Sequence, residues 1–128
     1  DLGMCTLDDI DGEYWRPVGV GTPEYSAPEI SEMIAYGCPL IKLDVKTDAW
    51  GVGIVLFMML GGHHPFDYDG KRSRAEIVAE IQKGRYTFRH WPRVSKDWAP
   101  IALTIGLLAS DPRTRFDMKH VLNHPWLA

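Results

Sequence analysis

The sequence predicts a mainly α-helical chain built around one buried central helix. Three observations predict it. From Trp50 to Leu60 every residue is apolar or glycine, and a helix that is apolar all round is a buried one. Helix start and stop signals recur along the chain: Asp44 or Thr47 before this run, Gly61-Gly62 after it, then Ser73-x-x-Glu76 and Asp117. No period-two alternation of any strength appears, so no strand is predicted. The central run is also too short to span a bilayer, which takes roughly 20 apolar residues.

Residues 1–21 read as a mobile loop, because acids cluster there and Gly12, Pro17, Gly19 and Gly21 interrupt any periodicity. Residues 22–33 form a turn leading into a short helix. Ser26-x-x-Glu29 fits a capping box there, with Pro28 tolerated in the first turn. Tyr36 to Lys46 is a linker. The central helix is predicted over 47–60, with Asp48 in its first turn, where exposed N–H groups favour an anion. Residues 61–67 make a loop. An amphipathic helix over 73–83 follows, with Ile77 and Ile81 on one face, Lys83 in the last turn and Gly84 as the stop. A helix over 96–109 is predicted to start at a Ser95 cap and to turn Ile101, Ala102, Ile105 and Leu108 inward, although Pro100 unsettles its start. Asp117 caps a last helix over 117–124.

Composition narrows the classes. The chain has 128 residues, 45% hydrophobic and 24% charged, as soluble globular domains do. Cys5 and Cys38 are its only cysteines, so neither a disulfide framework nor a zinc cluster is expected, and a reduced, cytoplasmic or nuclear compartment is. No secretory or membrane segment is expected. Residues 1–41 carry eight acids and one base, Arg16, whereas residues 42–128 carry nine acids and thirteen bases. The bases are spread over helices and turns, so no nucleic-acid footprint is read. His63-His64 and His120-x-x-x-His124 lack a third ligand nearby, and no metal site is expected from them.

Single motifs here are weak; their order is not. Asp1-Leu2-Gly3, then Gly21-Thr22-Pro23-Glu24-Tyr25-Ser26-Ala27-Pro28-Glu29, Asp48-x-Trp50-x-x-Gly53, Gly62-x-x-Pro65-Phe66, Asp111-Pro112-x-x-Arg115 and His124-Pro125-Trp126 occur in that sequence. Together they resemble the C-terminal half of a eukaryotic protein kinase catalytic domain over the whole chain, with Leu for Phe in the D-F-G motif. The implied fold is the helical C-lobe half of a kinase-like α+β fold. Thr22 with Tyr25 fits the serine/threonine pattern. Gly84-Arg85-Tyr86-Thr87-Phe88, Trp91-x-x-Val94-Ser95 and the closing His-Pro-Trp-Leu are similar to calcium/calmodulin-dependent and calcium-dependent kinases.

The resemblance implies roles. Residues 1–29 would be the activation segment. Asp1 would bind the Mg²⁺ that bridges the phosphates of ATP, and Gly3 would supply flexible backbone beside it. Leu2 would pack under the helix carrying the kinase's glutamate. Thr22 would line the cleft beside the substrate hydroxyl. Residues 19–25, including Gly21, Pro23, Glu24 and Tyr25, would bind the protein substrate just after the phosphoacceptor. Glu29 would leave its capping role to pair with Arg115. Asp48, with Trp50 beside it, would anchor the backbone of the catalytic loop. Met58 stands where some basophilic kinases carry an acid, so it cannot bind an arginine there.

Much of a kinase is absent from these residues: the glycine-rich loop, the sheet lysine with its helix glutamate, and H-R-D-x-x-x-x-N. The fragment alone is therefore expected to be inactive and not to bind ATP. One side of the central helix is expected to lack its cover, to be filled by self-association, a rearranged loop or the missing N-terminal half of the kinase. No Ser or Thr lies between Leu7 and Gly21. Asp8, Asp9, Asp11 and Glu13 either stand in for a loop phosphate or form a solvated acidic loop. The alternative to a kinase part is a pseudokinase-like helical scaffold.

Overall fold

The computed structural model describes residues 14–17, 21–38, 40–93 and 97–127, with the backbone alone for 14–17 and 40–42. Its axis is helix α2, Val45–Gly61. The alternative caps at its start are settled by geometry. The Asp44 carboxylate accepts from the backbone N–H groups of Lys46 and Thr47 at 2.6 and 3.2 Å, and the Thr47 hydroxyl accepts from the Asp44 N–H at 3.5 Å. Asp44 is thus the cap and Thr47 the reciprocal partner, so the helix begins two residues before the expected 47. It ends at Gly62, whose φ of 79° lies in the left-handed region.

Helix α1, Pro28–Ala35, follows a single 3-10 turn at Pro23–Tyr25. Helix α3 is Arg74–Lys83, α4 is Trp98–Leu107 and α5 is Met118–Leu122. Ser73 and Glu76 close a capping box on α3, and Asp117 caps α5 through the His120 N–H at 3.0 Å. The Ser26 cap does not form. Ala27 is the cap position of α1, and the Ser26 hydroxyl turns back to the Thr22 carbonyl. Its expected partner Glu29 is held elsewhere, as described below. On α4 the cap position is Asp97, without a side-chain bond; Ser95 lies outside the described residues.

Two strands correct the expectation of none. β1, Tyr14–Pro17, pairs antiparallel with β2, Leu40–Leu43, with Tyr14 opposite Leu43 and Pro17 opposite Leu40. Both are four residues long, too short for alternation to show, and their partners lie in segments that read as loop and linker. Pro17 sits at the strand end, where its missing N–H does least harm. The ladder ties part of the segment read as a mobile loop to the start of α2.

The core lies on two faces of α2. Trp50, Ile54 and Phe57 join Ala27 and Ile30 of the α1 segment, Ile77 and Ile81 of α3, and Phe66, Trp91 and Leu108. Ala49 packs with Leu103 and Leu107 of α4, against Leu56, Phe116 and Val121. Gly53 permits this close approach: a Cβ there would lie 2.8 Å from Leu108 Cδ2 and 2.9 Å from Leu107 Cβ. Ile105 was expected inside but is 44% exposed. The inward row of α4 is Pro100, Leu103, Thr104 and Leu107, at helical spacing, which leaves Ile105 on the opposite side.

The third face of α2 corrects the idea of a helix buried all round. Val45, Val52, Val55 and Met59 are 60, 43, 47 and 77% exposed. At 3.6 residues per turn they fall within an arc of about 80°, so they form one apolar stripe. Among the described residues no loop covers it.

Candidate functional site

Gly21 to Tyr25 lie along the edge formed by the end of α2, the α2–α3 loop and the start of α3. Gly21 takes a φ of 106°, open to glycine and strained for other residues. Thr22 is exposed and extended, and its carbonyl accepts from the Tyr25 N–H at 3.0 Å, closing the 3-10 turn. Pro23 opens that turn, and none of its three residues is buried. The loop is held by side chains instead.

Glu24 receives the Arg74 Nε–H on Oε1 at 2.8 Å, across fifty residues of sequence. That bond holds its carboxyl below the ordinary range. Its other oxygen, Oε2, is covered and has no partner among the described residues. The Glu24 carbonyl lies 3.0 Å from His64 Nε2. Tyr25 points its hydroxyl at the Met58 sulfur, 3.8 Å away, and sets its ring edge-on to His64. Met58 therefore does lie beside the loop, as a soft contact. Burial pushes the His64 imidazole below its ordinary pKa.

The segment then enters α1, where Glu29 meets Arg115. Arg115 is 1% exposed and reaches Glu29 with Nη1 at 2.7 Å and Nη2 at 2.8 Å. Its remaining donors go to carbonyls: Nε to Ala109 at 2.9 Å, Nη1 to Lys46 at 2.8 Å and Nη2 to Ser110 at 3.2 Å. All five N–H groups of the guanidinium are thus used. The guanidinium also lies 5.1 Å from the centre of the Trp50 ring, a cation–π distance, and the Lys46 ammonium donates to the Arg115 carbonyl. Glu29, Trp50 and Arg115 meet in one knot that joins α1, α2 and the segment before α5.

Asp48 lies in the first turn of α2, exposed and without a partner among the described residues. Asp1 and Gly3 lie outside the described residues, as do Leu2 and the acids at 8, 9, 11 and 13. No group of three His, Cys, Asp or Glu side chains that could hold a metal occurs among the described residues. His120 sits on Asp117 at its helix cap, 2.7 Å away. Two hollows open elsewhere: about 340 Å³ between Pro28, Glu32, Ala35, Tyr36 and Gln82, and about 460 Å³ beside Tyr68, Asp69, Lys71, Arg72 and Glu76. None of the site residues predicted from sequence lines either.

Sequence reasoning missed Arg74 and His64. Their partner Glu24 is fifty and forty residues away, and no local spacing announces such a contact. From sequence the doubled His63-His64 reads only as part of a loop, with no metal expected and no contact assigned to it.

Comparison with known proteins bears on the family and the fold. The family model described as protein kinase domain matches residues 1–127. Calcium/calmodulin-dependent protein kinase type 1 of Caenorhabditis elegans is 36% identical over 130 residues, covering 100% of this chain and 33% of that protein. Serine/threonine-protein kinase chk1 of Schizosaccharomyces pombe is 33% identical, covering 99% and 24%. Maternal embryonic leucine zipper kinase of Xenopus laevis is 28% identical, covering 99% and 18%. The chain thus spans a third or less of the length of these relatives. Among solved structures, the twitchin kinase region from C. elegans superposes with a TM-score of 0.78 at 26% identity, covering all of this chain and 21% of that one.

Proposed function

Because this chain belongs to the protein kinase domain family, with the helical fold of a kinase C-lobe, we propose that it is the substrate-binding part of an ATP-dependent serine/threonine kinase of the calcium/calmodulin-dependent type. Phosphoryl transfer by such an enzyme is mostly positioning and charge stabilisation. The part this chain supplies is a fixed ledge for the protein substrate. Residues 19–25 bind the substrate just after the phosphoacceptor, and Thr22 faces the acceptor hydroxyl. Asp48 anchors the catalytic loop of the intact enzyme.

The observation that carries this reading is the Glu29–Arg115 knot. It fixes the C-terminal end of the loop to α2 with every guanidinium donor satisfied. Asp48, exposed and without a partner among the described residues, suits an acid that takes backbone donors from another segment.

Mg-ATP is the family's phosphoryl donor. Asp1 has the hard oxygen that Mg²⁺ takes, but one carboxylate is not a site, and the described residues supply no further ligand set. The described residues by themselves do not fit the group. We expect no Mg-ATP binding by this chain alone in calorimetry; micromolar binding would overturn that expectation, not the kinase reading. The longer protein that carries the chain should phosphorylate Ser/Thr peptides with Mg-ATP.

The exposed stripe on α2 favours a second reading, a pseudokinase-like scaffold that presents its helical lobe to partners. The segment preceding Asp1 separates the two. H-R-D-x-K-x-x-N there marks the kinase, and its loss marks the scaffold.

A further inference from the structure

We propose that His64 is a positioning residue for the substrate-binding loop, which it staples to the core in one neutral tautomer. The inference rests on the kinase reading of that loop. The 3-10 turn at Pro23–Tyr25 buries nothing of its own, so its position comes from whatever holds it at the side. His64 holds its main chain directly. Nε2 lies 3.0 Å from the Glu24 carbonyl oxygen, and Nδ1 lies 3.2 Å from the Phe66 nitrogen.

The two neighbours dictate where the proton sits. A carbonyl only accepts and a backbone N–H only donates. Nε2 must therefore carry the hydrogen and Nδ1 the lone pair. Phe66 is fully buried and stacks on Trp50 with ring centres 6.0 Å apart. The path runs from the α2 core through Phe66 and the His64 ring to the Glu24 backbone. It crosses two hydrogen bonds and one rigid side chain.

Protonation would place a hydrogen on Nδ1 facing the Phe66 N–H, and that bond would be lost. The charges around the ring are mixed. Glu24 from the loop and Asp67 from the α2–α3 turn favour the cation, and His63 opposes it. Arg74 of α3 is already engaged with Glu24. Burial is the largest influence and favours the neutral ring, so the staple holds through neutral pH and opens only in acid.

The test uses two readouts. In the 128-residue chain, imidazole ¹⁵N spectra should show His64 as the Nε2–H tautomer. His64→Ala should speed amide exchange at Tyr25 and Ser26, whose N–H groups close the turn. In the longer kinase, His64→Ala should raise the peptide KM about three- to tenfold, the worth of one hydrogen bond, with kcat unchanged. His64→Gln keeps a donor for Glu24 but cannot titrate in this range. It should restore much of the KM and remove the rise in KM that the wild type shows only in acid, below the ordinary imidazole range. An Nδ1–H tautomer, unchanged exchange in the turn, or an unchanged KM in an active enzyme would overturn the staple. Speeded exchange in the turn with no phosphorylation of any Ser/Thr peptide would instead overturn the kinase reading, and with it the role toward substrate.

Discussion

Arg115 shows what a single residue does in this fold. It is almost fully buried, and each of its five donors has an acceptor. Only a planar guanidinium fork fits that set. Arg115→Lys keeps the charge but cannot serve Glu29 with two bonds and three carbonyls besides. Breaking a buried pair from one side costs about 3–5 kcal/mol. We expect Arg115→Lys and Glu29→Gln both to lower the urea midpoint, Arg115→Lys by more, because it also leaves backbone carbonyls unpaired. Equal midpoints for wild type and Arg115→Lys would show the knot to be dispensable. Tyr86 makes a second case. Burial raises its hydroxyl from 10.0 to about 12. The folded state favours the neutral phenol, so its contribution is complete below about pH 10 and is lost as pH rises towards 12. Alkaline difference spectra should show one tyrosine ionising late, and Tyr86→Phe should remove that late phase.

At the scale of elements, what could be read from sequence was what is local. Asp44, Ser73 and Asp117 cap their helices because a short polar side chain reaches N–H groups two or three residues on. The same spacing failed at Ser26-x-x-Glu29, since Arg115 claims Glu29 from 86 residues away. The β1–β2 ladder was illegible for a similar reason. Each strand has four residues, and its partner lies beyond a turn and a helix. The Glu29–Arg115 pair became legible only as part of a motif series, whereas Arg74 and His64 belong to no such series. Packing between elements gives its own prediction. Gly53→Ala would gain helix propensity, worth up to about 1 kcal/mol. Its methyl, however, would sit 2.9 Å from Leu107 Cβ, which cannot move without shifting α4. Overpacking of this sort typically costs about 1–3 kcal/mol. We expect a net loss of stability in denaturant melts; a gain would mean that α4 yields easily.

At the scale of the whole molecule, α2 is a pillar with two faces packed and one bare. Val45, Val52, Val55 and Met59 share the bare face. Burying one large apolar side chain contributes roughly 1.5–3 kcal/mol, so covering several of them is a substantial drive to associate. In the isolated chain we propose a second copy as the cover. In the proposed intact kinase it is the N-terminal half of the same domain. These occupants can be told apart with one pair of substitutions, Val55→Gln with Met59→Lys, on residues already exposed. In the isolated chain the double variant should shift light scattering from dimer or larger species to monomer and make the melting temperature independent of protein concentration. In the longer kinase the same variant should instead lower the melting temperature, because it cuts an internal contact. A chain that is monomeric before substitution and binds no hydrophobic dye would rule out association through this face. A longer kinase indifferent to the variant would mean that its other half packs elsewhere, and Asp48, about two turns before Val55 on the same helix, would lose its proposed partner too.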